Sequence, residues 1–328
     1  MKKNMMLLTL MLVLVLSVSA CGKAAPAAQE TTGNGSSSAA TTEAKTIEVK
    51  HALDENPVQV KVNPKNVVVF DFGALDTLDK LGVDVAAVAQ QDLPTYLSKY
   101  KDSKYASAGT LFEPDYEKIS DLSPELIIIG GRQADAYKEL SKIAPTISLA
   151  VDTKDYVNSF KKNVELMGQI FNKEDAAKQE LAAIDSSIKG VHDKAVASKA
   201  KGLIVLTNEG SLSAYGPNSR FGIIHDAFGV TPVDPDIKVS THGQKVSFEY
   251  VQQKNPDYIF VVDRGAVVVE EGKEQISGKQ TLENELVKKT NAYKNGHIVY
   301  LDPNYWYLSG NGLESVSEMI KEIDAALK

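Results

Sequence analysis

Arginine is nearly absent from this chain. Of 36 basic residues, 33 are lysine and only Arg132, Arg220 and Arg264 are arginine. Cysteine occurs once, at Cys21, so no internal disulfide can form and the fold must be held by its core alone. Tryptophan also occurs once, at Trp306. The net charge of -7, with no basic stripe, argues against a nucleic-acid partner. No G-x-x-x-x-G-K-[ST] is present, because GKEQISGK has the wrong spacing and is followed by Gln280. G-x-S-x-G and other recognisable hydrolase motifs are missing too, so no catalytic residue is assigned. The five histidines, His51, His192, His225, His242 and His297, show no metal-ligand spacing.

Only the start carries a long apolar run. Lys2 and Lys3 precede residues 5–18, which fall short of the roughly 20 residues that span a bilayer as a helix. Residues 1–20 therefore read as a secretion signal. Ser19 and Ala20 stand directly before Cys21, and these small residues resemble the lipobox of bacterial lipoproteins. That resemblance implies lipidation of Cys21, which becomes the N-terminus. Residues 21–46 are rich in Ala, Ser, Thr and Gly, cannot bury a core, and read as a flexible tether.

Beyond the tether, short apolar runs alternate with helical patterns. Strands are expected at 67–70, 83–88, 126–129 and 146–151, with helices around 75–81, 116–122 and 134–143. Residues 154–198 carry no proline and no strand signal, and read as one or two long helices with a weak point near Asn172. The alternation then resumes, with strands at 203–207, 258–262 and 297–301, helices around 221–228 and 248–253, and a final helix from Leu313. The expected fold is α/β: two doubly wound lobes joined by a long α-helix, with a ligand cleft between them. The lobes are expected at 47–153 and 199–328, and the helical connection at 154–198.

A weak internal repeat supports two lobes on one plan. EKISDLSPELIIIGGR ends at Arg132 and EYVQQKNPDYIFVVDR at Arg264. In each copy Glu stands seven residues before Pro, an acid follows Pro, an apolar strand follows, and Arg comes eight residues after Pro. A bias towards lysine explains the lysines but not these positions. Arg132 and Arg264 follow strand ends, the edge where open α/β sheets bind ligands. Arg220 lies between Gly216-Pro217 and a helix start, again at an element end. Arginine's planar fork suits paired anionic oxygens. Surface ion pairs are the plainer alternative, but lysine would serve those equally well. Three convergent arginines point to a ligand with about three negative charges presented as paired oxygens.

Several phrases now carry a resemblance over essentially all of residues 45–328: KNVVVFDFGALDTLDKLG, YGPNSRFGIIHDAFG, VSFEYVQQKNPDYIFVVDRG and NGHIVYLDPNYWYLSGNGLES. They are similar to the class III substrate-binding lipoproteins of ABC importers, within the branch for catecholate, petrobactin-type siderophores. The resemblance implies a monomeric, non-enzymatic receptor with no intrinsic cofactor, lipid-anchored to the outer face of the cytoplasmic membrane. Its ligand would be a ferric siderophore and its partner an ABC permease with its ATPase. Arg132, Arg220 and Arg264 map onto the branch's three cleft arginines. His242 and Tyr307 match positions that can approach iron, though His242 also reads as an ordinary loop residue. Trp306 and Tyr307 read either as packing against the final helix or as stacking on a ligand or an arginine. Tyr215, Gln133 and Phe72 are weaker ligand candidates. Glu117 and Glu249, the matched acids of the repeat, are expected to dock the permease, with solvated helix residues as the alternative. A haem or cobalamin binder of the same class is the second functional expectation.

Overall fold

The structure is a computed structural model and describes residues 45–268 and 275–327. Cys21, with the expected signal and most of the tether, lies outside the described residues. The described residues form one compact unit. It opens with a hairpin of β1 (Thr46–Val49) and β2 (Val58–Lys61), which the sequence reading did not foresee.

The first lobe follows the expected alternation. β3 (Val68–Val69) leads into α1 (Phe72–Lys80), then come β4 (Ala87–Val88), β5 (Ala106–Ser107), α2 (Tyr116–Asp121), β6 (Ile127–Ile129), α3 (Tyr137–Ile143) and β7 (Thr146–Ser148). The sheet order is β5-β4-β3-β6-β7, and every pair is parallel. Leu75 and Leu78 are buried against the first-lobe sheet, whereas Leu81, just past α1, is buried in a separate cluster. Gly82, at φ 67, ends that helical run in the left-handed conformation that glycine adopts without strain.

Two helices make the connection. α4 (Tyr156–Ile170) and α5 (Glu174–Ser198) are separated at Asn172, whose φ is 54. Asparagine tolerates that left-handed conformation better than most residues.

The second lobe contains β8 (Lys201–Asn208), β9 (Ser211–Tyr215), α6 (Ile223–Asp226), β10 (Thr231–Pro232) and β11 (Gln244–Val246). α7 (Phe248–Lys254), β12 (Tyr258–Asp263), α8 (Gly278–Leu282), α9 (Asn291–Lys294), β13 (Ile298–Leu301) and α10 (Leu313–Ala326) complete it. Its sheet runs β11-β9-β8-β12-β13, with β10 beside β8. This sheet is mixed. β9 returns antiparallel to β8 through Glu209 and Gly210, at φ 49 and 75. A two-residue turn with both φ positive matches the twist of a hairpin.

The repeat is visible in the topology. β6 lies between parallel β3 and β7, and β12 between parallel β8 and β13. The preceding helices are equivalent as well. α2 is capped by Asp115 and α7 by Ser247, and Glu117 and Glu249 are each the second residue of their helix.

Candidate ligand-binding cleft

Each arginine sits just past a strand or turn, as its sequence position requires. Arg132 lies in the tight turn Gly131–Ala136 after β6, and Arg264 opens the turn Arg264–Ala266 after β12. Arg220 precedes α6. All three guanidinium groups meet on one residue, Tyr307. Arg132 donates through Nη2 to the Tyr307 carbonyl at 2.5 Å and through Nη1 to the Leu308 carbonyl at 3.1 Å. Arg220 donates to the same Tyr307 carbonyl at 2.6 Å. Arg264 donates from Nε to the Tyr307 hydroxyl at 3.1 Å and from Nη1 to Asn208 Oδ1 at 2.9 Å. The Arg220 guanidinium also lies 4.2 Å from the Tyr307 ring centre, and that of Arg132 lies 5.6 Å away.

Tyr307 belongs to a single wide turn, Asn304–Ser309, in which the Gly310 N–H donates to the Tyr305 carbonyl at 2.7 Å. Such i→i+5 turns are uncommon and concentrate at functional sites. The turn leaves β13 in the second lobe, yet Thr95, Tyr96 and Arg132 of the first lobe all bond to it.

Mutual repulsion shapes the electrostatics. Burial, then the neighbouring Arg220, pulls the Arg132 guanidinium down to about 10, so it stays charged at neutral pH. Burial pushes the Tyr307 phenol up, but Arg220, the Arg264 hydrogen bond and Arg132 together outweigh it. The net shift is downward, toward phenolate.

A cavity of about 340 Å³ opens here, lined by Arg132 and Asp71 from the first lobe and by Arg220, Phe221 and Thr241 from the second. Tyr156, Trp306, Tyr307, Asn311 and Met319 close it. Trp306 is buried, and its indole N–H donates to Glu322 Oε2 at 2.5 Å. It therefore packs against α10 and also lines the cavity.

Three expected ligand residues are placed elsewhere. Phe72 is fully buried in the first-lobe core, because α1 turns it under the sheet. Gln133 is buried as a local brace: its amide N–H donates to the Leu111 carbonyl at 2.5 Å, and its Oε1 accepts the Gly130 N–H at 3.1 Å. Tyr215 packs edge-on to Phe221 with ring centres 4.7 Å apart, and is 2% exposed. His242 is exposed on a turn closed by Ser240 and Gly243, next to the lining residue Thr241 but not itself in the lining. Among the described residues no group of three His, Cys, Asp or Glu could hold a metal ion.

Sequence reasoning missed Asp71 and Tyr156. Asp71 carried one legible signal, an acid between a strand and a helix, where N-caps sit. Its side chain accepts the Ala74 N–H at 2.8 Å and thereby caps α1.

The fold and site define a two-lobed binding protein, and the chain belongs to the periplasmic binding protein family, whose pattern matches residues 67–305. Over 328 residues it is 53% identical to the petrobactin-binding protein YclQ of Bacillus subtilis, covering 99% of each chain. The crystal structure of YclQ matches with a TM-score of 0.83 and 56% identity, over 87% of this chain and 99% of that one. The periplasmic catecholate-siderophore binding protein VctP from Vibrio cholerae matches at 0.80 with 40% identity, over 86% of this chain and all (100%) of its own. The ferric-anguibactin-binding protein FatB of Vibrio anguillarum is 34% identical, over 84% of this chain and 86% of its own.

Proposed function

We propose that this protein binds an anionic ferric siderophore of catecholate, petrobactin-like type outside the cell and delivers it to an ABC permease for iron uptake. The observation that carries this reading is the meeting of three arginines from two lobes on Tyr307. In the free protein their donors are satisfied by one carbonyl, one phenol and a few neighbours. A ligand with paired anionic oxygens replaces those acceptors with stronger, charge-assisted ones. The ligands named for YclQ and VctP agree with that chemistry. The protein acts as a carrier rather than an enzyme, and iron is its cargo. Cys21 holds it to the outer face of the membrane through lipid, so the tether keeps it near the permease.

Titration of Trp306 fluorescence tests the reading. Ferric catecholates, petrobactin included, are expected to quench it with affinity at or below about 1 μM, a binding free energy of about -8 kcal/mol or better. Ferric hydroxamates, haem and cobalamin are expected not to. Tight haem or cobalamin binding would instead place the protein with the other cargo of this class.

Glu117 and Glu249 are exposed, equivalent in the two lobes, and available as a two-point electrostatic contact for the permease. The double variant Glu117→Ala, Glu249→Ala is expected to abolish cellular uptake while soluble protein still binds ligand. Normal uptake by that variant rules the docking role out.

A further inference from the structure

One cavity residue has the wrong sign for an anion site. Asp71 is 8% exposed and lines the cavity beside Arg132. Its two hydrogen bonds, from the Ala74 N–H at 2.8 Å and the Asn311 amide at 3.3 Å, both end on Oδ1. Oδ2 makes none among the described residues. No fully buried side-chain polar atom among them lacks a partner, so Oδ2 is the atom through which Asp71 meets the cavity. Room for it is built in: a Cβ at Gly130 would lie 2.0 Å from Oδ2. The fold thus keeps a carboxyl oxygen free in a cavity made for negative charge.

The groups around it are known. Arg132 approaches from the turn after β6, Tyr156 from α4, Arg220 from the segment before α6, and Tyr307 and Asn311 from the wide turn and its end. Asp76 lies further along α1. Burial raises the Asp71 carboxyl above its ordinary value, against the Ala74 N–H, Arg132 and Asn311. An entering anion displaces water and adds negative charge, and both favour the neutral acid.

Resting on the binding reading above, we propose that Asp71 is a ligand-facing residue that takes a proton from solvent as the anion enters and donates a hydrogen bond through Oδ2 to a ligand oxygen. The residue then works as a specificity element. An anionic oxygen beside Oδ2 is accepted with its proton, whereas a ligand offering only hydrogen-bond donors there gains nothing from the exchange.

Calorimetric titration with ferric petrobactin, in two buffers of equal pH and different ionisation enthalpy, counts the protons. The wild type is expected to take up about one proton per ligand more than Asp71→Asn, a difference that cancels the ligand's own proton exchange. Above the free protein's Asp71 titration the wild-type affinity falls as pH rises, by up to about tenfold per unit, and the variant's profile is flatter. Infrared difference spectra of the wild type alone are expected to gain a protonated-carboxyl band on binding, a readout that does not depend on the variant folding. Equal proton counts, parallel pH profiles or no new carboxyl band overturn the proposal. No binding of ferric petrobactin by the wild type would instead defeat the binding reading, and this proposal with it.

Discussion

The two copies of the repeat bring an arginine to Tyr307 by different means. In the first lobe Gly130 and Gly131 stand where the second lobe has Val262 and Asp263. Asp263 is anchored locally, accepting the Gly278 N–H at 2.6 Å and the Thr207 hydroxyl at 3.2 Å. Arg264 next to it is steadied by the neutral Asn208 and the Tyr307 phenol. Arg132 donates to two main-chain carbonyls and has the carboxyl of Asp71 for its acidic neighbour. One topology therefore anchors the acid beside the arginine on both oxygens in the second lobe and leaves one carboxyl oxygen open near the arginine in the first. The difference turns on a side chain removed at Gly130.

The largest expected effect lies in the arginines themselves. Arg132→Gln, Arg220→Gln and Arg264→Gln should each weaken ferric catecholate binding by about 1.5–3 kcal/mol, the scale of charge-assisted hydrogen bonds. Arg132→Gln should lie at the top of that range, because Arg132 is the first lobe's single arginine and lines the cavity. Equal losses from Arg132 and Arg264, measured by fluorescence titration, would mean the lobes contribute symmetrically. Unchanged affinity in any two variants would place the site elsewhere.

A second comparison separates the paired glycines. Gly130→Ala drives a methyl group into the Asp71 carboxyl and should cost about 1–3 kcal/mol in denaturant unfolding. Gly131→Ala meets nothing within 4 Å and should stay within about 0.5 kcal/mol. Similar losses at both positions would show that these glycines matter for backbone freedom rather than for the space they leave.

A further effect is one of slope. Asp76, on α1, accepts the N–H groups of Glu314 and Ser315, each at 2.7 Å, and so caps α10 from the other lobe. Burial pushes its carboxyl from 3.8 up to about 6 despite those bonds. The folded state therefore holds this proton more tightly than the unfolded chain does. The stability it contributes is complete below about pH 4 and is lost as pH rises through about 6. Asp76→Asn should remove that part of the slope from stability measured between pH 4 and 7. Superimposable slopes would show that Asp76 keeps its ordinary ionisation.

What could be read from the chain was what lies within one short stretch. The proline, acid, apolar strand and arginine of the repeat stand within sixteen residues, and both copies folded as expected. The β8–β9 hairpin was missed because its turn is Glu209-Gly210 rather than a stronger asparagine or aspartate signal. Phe72, Gln133 and Tyr215 were drawn to the ligand because polar or aromatic residues near a cleft look alike in sequence whether they face it or support it. The common acceptor of Arg132 and Arg220 is a main-chain oxygen, which has no residue type to betray it. Asp71 depends on Asn311, 240 positions away, and on room left by Gly130.

The wide turn at Asn304–Ser309 also bears on how the molecule comes apart. Trp306 belongs to the hydrophobic cluster of the second lobe, Leu308 to that of the first, and Tyr307 packs against both. Two residues of one turn thus stitch two cores together. Loss of either lobe's packing exposes one of these buried side chains, so the turn ties the stability of the two lobes together, although each has the layered architecture of an independent domain.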